Sequence, residues 1–324
     1  MLRISYHVSH EQFSPAELLD LTRRAEAAGF DAAFSSDHLH PWASAQGHSG
    51  FVWAWLGSAL QATRRLTFAG ITVPGGWRYH PALVAQALAT LGQMHPGRLP
   101  WFALGSGEAI NERVIGCGWP EKEERNRRLE EGASIIRRLL NGERVSSQGL
   151  IKCENAQIWS RPDVPPKLVA AAMSEGTAER AGSWADGLLT TASDVPKLKA
   201  ILAAFRRSGG SKPMHLKVDL SWAASEKEAL DQAWEQWRFL QPGRKASETF
   251  ATPEQFERAA KDVSPQEMRK TVLVSADLDR HIEWLRERAA LGFETIDLHN
   301  VGRNQREFID AFARRVLPAL RSSR

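Results

Sequence analysis

The chain has 324 residues, 43% of them hydrophobic and 25% charged, enough to build one large core rather than a string of small modules. Its 42 basic and 38 acidic residues leave a formal charge of +4 and interleave along stretches such as Lys122 to Arg138, which is a solvated helix face and not a nucleic-acid footprint. Cys117 and Cys153 form no Cys-x-x-Cys pair, no apolar run reaches membrane-spanning length, and the first residues lack a signal-peptide succession, so a reducing, cytoplasmic setting without a membrane partner is expected.

A first strand is predicted over Ile4 to Val8. Ser14-Pro15-Ala16-Glu17 then starts a helix, with serine as N-cap, proline at the first helical position and glutamate at the capping-box position. Gly29 closes it, Phe30 packs back, and Asp31 opens a small, continuous apolar strand, Ala32 to Phe34, as expected of a strand buried on both faces. That strand runs into Asp37-His38-Leu39-His40-Pro41-Trp42. The phrase of helix, Gly-Phe and strand returns from Leu285 to His299 and, more loosely, from Arg180 to Thr191. Between them lie helix Val52 to Ala62, strand Leu66 to Val73, helix Ala82 to Met94, strand Leu99 to Leu104 and a long amphipathic helix, Glu123 to Leu140. Residues 144–159, with Ser146-Ser147-Gln148-Gly149 as the turn, read as a hairpin outside the repeat.

Strand Lys167 to Ala172, a helix from Ser174, strand Leu188 to Thr191, helix Val195 to Arg207, strand His215 to Trp222 and helix Lys227 to Leu240 continue the alternation. The polar stretch 241–269 reads as an insertion or lid beside the rim, and Lys270 to Ser275 as an extra strand. Helix Leu278 to Leu291, strand Thr295 to His299 and helix Gln305 to Leu320 close the chain. About eight αβ steps with right-handed crossovers predict a single α/β domain over residues 1–324, a (β/α)8 TIM barrel with insertions.

Barrel enzymes keep their chemistry at the carboxyl ends of the strands. Asp37, His38 and Trp42 set an acid, an imidazole and an indole at one such end, although the stretch alone reads equally as a structural histidine beside a turn. Gly105-Ser106-Gly107-Glu108 follows another strand; its glycines let the backbone approach a flat or anionic ligand, and an ordinary tight turn has the same composition. No Gly-x-Gly-x-x-Gly opens a helix, no Walker lysine follows a glycine loop and no Gly-x-Ser-x-Gly is present, which argues against dinucleotide, nucleoside triphosphate and acyl-transfer chemistry. No His-x-x-x-His or carboxylate-rich cluster points to a metal. Ser174 to Thr177 offers hydroxyls and helix-start amides to a phosphate, or simply caps a helix. His7 and His299 stand at strand ends, where each is either a packed or surface histidine or a group facing the mouth.

Taken in order, Ser36 to Trp42, Gly105 to Glu112 and Asn155-Ala156 ahead of a tryptophan resemble the deazaflavin-dependent glucose-6-phosphate dehydrogenase group of the bacterial luciferase-like superfamily. The resemblance implies a TIM barrel, usually a homodimer, that binds coenzyme F-420 or FMN across the barrel mouth. It implies His38 as the general base, Glu108 as the acid near the cofactor ring and Trp42 as the flanking aromatic. It further implies cofactor contacts from Asp37, Thr72, Val73, Ser106, Gly107, Ser174, Glu175, Gly176 and Thr177, with a non-prolyl cis bond at Thr72-Val73, and substrate contacts from His40 and Lys270. Where the sugar-phosphate enzymes carry a clamp of lysines and an arginine, this chain has Ser193-Asp194 and Lys270, which argues against glucose 6-phosphate. Glu175 would face a cofactor phosphate, a change compatible with a branch that uses FMN.

The function implied is an oxidoreductase that moves hydride between a small hydroxyl or carbonyl substrate and the cofactor. One alternative is an FMN-dependent monooxygenase supplied with reduced flavin by a partner reductase. Another is a non-catalytic flavin-binding protein.

Overall fold

The computed structural model describes residues 2–191 and 194–322. Eleven strands are formed among these: β1 Arg3–Val8, β2 Ala32–Ser36, β3 Thr67–Thr72, β4 Trp101–Leu104, β5 Val145–Gln148, β6 Lys152–Ala156, β7 Lys167–Ala171, β8 Gly187–Thr191, β9 Met214–Ser221, β10 Leu273–Val274 and β11 Thr295–Asn300. Eight of them run parallel in the order β9-β11-β1-β2-β3-β4-β7-β8, and β8 pairs back onto β9 to close the ring. This is the (β/α)8 barrel expected from the repeated αβ phrases, with helices between successive strands.

Alternation along each strand decides what faces the barrel interior. On β1, Ile4, Tyr6 and Val8 are buried under the helices, where Tyr6 meets Phe30 edge-on, while Ser5 and His7 point inward. The predicted αβ junction forms as read: Ser14 Oγ accepts from the Glu17 amide, Pro15 opens the helix Pro15–Ala27, and Gly29 turns the chain at φ +97°. The lower interior is filled by Phe34, Ala69, Trp101, Ala103, Val169 and Leu189. Polar residues occupy the interior positions nearer the carboxyl ends of β1, β9 and β11.

Several boundaries differ from expectation for physical reasons. The 144–159 hairpin forms, but its turn lies over residues 149–151 instead of Ser146 to Gly149. Glu131 of the helix Lys122–Leu140 accepts from Ser147 Oγ and from the amides of Leu150 and Ile151, which draws the turn onto that helix. The strand expected over Lys270 to Ser275 shrinks to β10, because Pro265–Lys270 is a 3-10 turn with a capping box at Ser264. β10 takes over the edge of β9 at Leu220 and Ser221, beyond the reach of β8. The C-terminal helix is interrupted by a π segment, Phe312–Val316, just ahead of Pro318, which has no amide hydrogen to continue an α pattern.

Residues 241–269 fold into the short helices Arg244–Thr249 and Pro253–Ala259 and the start of the 3-10 turn. They build an apolar cluster of their own in which Phe256, Ala260 and Met268 are buried together with Trp42 and Trp237. Among the described residues no helix is long and apolar enough to cross a membrane.

Candidate active site

The chain leaves β2 through Asp37 and His38. The Asp37 carboxylate is buried and accepts from Thr72 Oγ1 at 2.7 Å, Arg78 Nη1 at 3.0 Å and Tyr79 OH at 3.1 Å, while Arg78 Nη2 donates to the Asp37 carbonyl at 2.7 Å. Burial and the Asp37 charge hold the Tyr79 hydroxyl protonated. Asp37 therefore ties the ends of β2 and β3 together and fixes where His38 emerges. Arg78 also faces buried Glu112, whose carboxyl burial pushes up to about 7 against the pull of that guanidinium.

His38 lies between two carboxylates. Its Nδ1 lies 3.2 Å from Oε1 of Glu11, and its Nε2 faces Oε2 of Glu108 across 3.8 Å. Glu11 is buried and accepts from Ser9 Oγ and Ser36 Oγ; burial alone would raise its pKa, but the positive potential of His38 and a backbone hydrogen bond bring it down to about 2. Glu108 is one-third exposed, and burial raises its carboxyl above the ordinary range against the opposing effect of His38. Asn111 bridges the two motifs, donating to Glu108 Oε2 at 3.4 Å and accepting from the Leu39 amide at 2.9 Å. Trp42 packs edge-on to the imidazole, with centroids 4.9 Å apart, and is backed by Phe256. His38, Glu108 and Trp42 thus come together, joined by Glu11 and Asn111.

The remaining predicted residues are placed as follows. Gly107 sits at φ +88°, and a Cβ there would lie 2.9 Å from the Trp119 ring and 3.1 Å from Val73 Cγ1, so a packing need fixes this glycine. Ser106 Oγ accepts from Lys122 Nζ. The Thr72-Val73 peptide is trans, not the cis bond implied by resemblance. Trans is the form a non-prolyl bond prefers by roughly 3 kcal/mol. Ser174 is the N-cap of helix Glu175–Gly182 but makes no side-chain cap bond; its hydroxyl meets that of Thr177 at 3.0 Å, and Glu175 and Gly176 are exposed. His40 is half-buried near the Glu254 carboxylate. Lys270 is 71% exposed and pairs with Glu267 at 3.6 Å. Ser193 lies outside the described residues.

On β1 and β11, the strands next in the ring to β2, His7 and His299 both point inward, with ring centroids 4.1 Å apart. His7 Nδ1 meets Asp297 Oδ2 at 2.7 Å; His299 Nδ1 donates to Asp219 Oδ1 at 3.0 Å, and its Nε2 lies 3.2 Å from Gln12 Oε1. Burial, helped by His7 and Lys217, pushes His299 down to about 3 against the pull of Asp219, so the ring is neutral at pH 7. Among the described residues no group of three or more His, Cys, Asp or Glu side chains is placed to hold a metal ion.

Sequence reasoning missed Glu11, Gln12, Asn111 and Glu112. Glu11 and Gln12 follow β1 in a polar run, Ser9-His10-Glu11-Gln12, the same kind of signal that singled out Asp37-His38 after β2. Asn111 and Glu112 fall three and four residues after Glu108, on the same face of one helical turn.

The pattern described as luciferase-like monooxygenase matches residues 1–295. F420-dependent glucose-6-phosphate dehydrogenase of Nakamurella multipartita is 35% identical over 99% of this chain and 97% of its own length. The enzyme of the same name from Microbacterium testaceum is 35% identical over 99% and 98%. The solved structure of an F420-dependent secondary alcohol dehydrogenase with an F420-acetone adduct superimposes with a TM-score of 0.89 at 29% identity, covering 99% of both chains. The chain belongs to the luciferase-like family.

Proposed function

We propose that this protein is a deazaflavin-dependent oxidoreductase that takes hydride from the carbinol carbon and a proton from the hydroxyl of a small, unphosphorylated secondary alcohol. The observation that carries the reading is the clamped imidazole: His38 Nδ1 rests on anionic Glu11, leaving Nε2 directed at the Glu108 side of the mouth. The activities of the relatives, on glucose 6-phosphate and on a secondary alcohol, are both F420-dependent. The replacement of the lysine and arginine clamp of the sugar-phosphate enzymes by Ser193-Asp194 and Lys270 favours the second kind of substrate.

The residues present fit such a cofactor. The uncapped amides at the start of helix Glu175–Gly182, with the hydroxyls of Ser174 and Thr177, would hold a phosphate-bearing tail. Glu108 and Asn111 would border the ring. When bound, a deazaflavin or flavin supplies the hydride acceptor.

The protein's own part is proton handling and exclusion of water. His38 Nε2 accepts the hydroxyl proton as the alcohol carbon is oxidised to a carbonyl, and Glu11 stabilises the imidazolium so formed. Glu108, with its raised pKa, stands ready to hold or release a proton beside the ring. Trp42, backed by Phe256, shields the imidazole from solvent on one side.

Tryptophan-quenching titrations of the purified protein with oxidised coenzyme F-420 and, separately, with FMN test the cofactor assignment. Tight binding of the deazaflavin supports it; binding of FMN alone moves the protein to the oxygen-using branch of the family. The free thiols of Cys117 and Cys153 support work in a reducing, cytoplasmic setting. A homodimer is supported by the large exposed apolar side chains Trp159, Val164 and Met94, and light scattering of the purified chain checks it.

A further inference from the structure

On β9, Met214, Leu216, Val218 and Leu220 are buried toward the helices, so His215, Lys217 and Asp219 project into the barrel. His215 stacks on Trp101 deep in the interior and is buried. Lys217 and Asp219, nearer the carboxyl end, each keep 18% of the side chain accessible. Both lie beyond His215 along β9, toward the carboxyl-terminal mouth. The two are ion-paired with each other, Asp219 also accepts from His299, and the Lys217 ammonium lies 5.3 Å from the centre of the Trp237 ring.

This assembly sits across the mouth from His38 and is tied to it twice. Gln12, the neighbour of Glu11, reaches His299 and also donates to Gln236 Oε1 and the Val301 carbonyl. Trp237 belongs to the same apolar cluster as Trp42. Three strand steps around the ring separate β9 from β2.

We propose that Lys217 and Asp219 form a specificity subsite that reads a second hydroxyl on the substrate, next to the carbon being oxidised. The chemistry follows from the charges. The charges of Lys217 and Asp219 cancel in their ion pair, which sets a donor and an acceptor side by side on the wall. An ammonium that donates to one oxygen and a carboxylate that accepts from a hydroxyl match a neutral vicinal diol or unphosphorylated polyol. A simple monoalcohol leaves both charged groups without that contact, and desolvating them uncompensated is costly. This inference rests on the hydride-transfer reading above.

The test compares isopropanol with a vicinal butanediol as reductants of oxidised coenzyme F-420 under anaerobic conditions. The diol is expected to have the higher kcat/KM, by about 10²-fold. A paired exchange, Lys217→Met with Asp219→Asn, removes both charges together so that neither is left buried alone. With the cofactor titration confirming an intact fold, the exchange is expected to shrink the preference to within about 3-fold, mainly through KM for the diol. Equal kcat/KM for the two alcohols, or a preference that survives the exchange, overturns the subsite while leaving hydride transfer intact. Turnover of neither alcohol overturns the hydride reading and the subsite together.

Discussion

Glu11 Oε1 lies 3.2 Å from Nδ1 of His38, and the carboxylate is buried with its pKa brought down to about 2. A buried anion at this position holds the ring orientation and stabilises its protonated form, as a carboxylate behind a catalytic imidazole does elsewhere. Glu11→Gln keeps the size and removes the charge. It is expected to lower kcat by about 10- to 100-fold, while KM and deazaflavin affinity change little. Steady-state kinetics with the tryptophan-quenching titration separate these effects; an unchanged kcat contradicts the positioning role.

His38→Ala removes the proton acceptor itself. The expected loss of kcat is about 10²- to 10⁴-fold, the usual range for a general base, with cofactor affinity within a few-fold of the parent. Single-turnover reduction of the deazaflavin by substrate measures it directly.

Glu112 makes stability depend on pH. Its folded pKa, about 7, is above the ordinary 4.5, so between those values the folded protein keeps a proton that the unfolded chain has released. The contribution is fully present below pH 4.5 and is lost as pH rises through 7. At about 1.4 kcal/mol per pH unit over that window, stability should fall by roughly 2 kcal/mol between pH 5 and pH 8 from this group. Urea melts of the parent and Glu112→Gln at both pH values check it: the variant should show a correspondingly smaller fall.

Gly107 combines φ +88° with walls at 2.9 Å and 3.1 Å from a built Cβ. Gly107→Ala is expected to cost about 1–3 kcal/mol and to displace Glu108, lowering thermal stability and kcat together. Thermal melts and steady-state assays on the same preparation test the coupling.

Phe256 is fully buried and backs Trp42 at 5.2 Å between ring centroids. Phe256→Ala should cost about 3–5 kcal/mol by leaving a cavity. If the 241–269 segment shapes the mouth through Trp42, KM for substrate rises at temperatures where the variant is still folded.

The barrel was legible because its strands are short, apolar and followed at each step by helix-start signals, with Ser14-Pro15 and the Gly-Phe junctions as the sharpest marks. The clamped base was half legible. His38, Glu108 and Trp42 lie in two motifs that read as chemistry, whereas the polar run Ser9-His10-Glu11-Gln12 after β1 carries the same kind of signal but does not say that Glu11 packs behind His38. The inward faces of β9 and β11 were not legible. Lys217, Asp219, Asp297 and His299 alternate with apolar residues as they would on a half-solvated strand, and only ring closure turns the polar face into an interior. The hairpin turn moved because a distant residue, Glu131, supplies the hydrogen bonds that choose its position. Asp37 was read as part of the cofactor pocket, and its three donors make it the anchor of the β2 and β3 ends.

The most direct test of the central claim uses a secondary alcohol deuterated at its carbinol carbon, mixed anaerobically with the protein and oxidised coenzyme F-420, followed by mass analysis of the reduced cofactor. Transfer of one deuterium to the deazaflavin, slowed about 10²- to 10⁴-fold in His38→Ala, is the result predicted for hydride removal assisted by the imidazole. Deuterium-free reduced cofactor, or transfer at the parent rate in the His38→Ala variant, would contradict it.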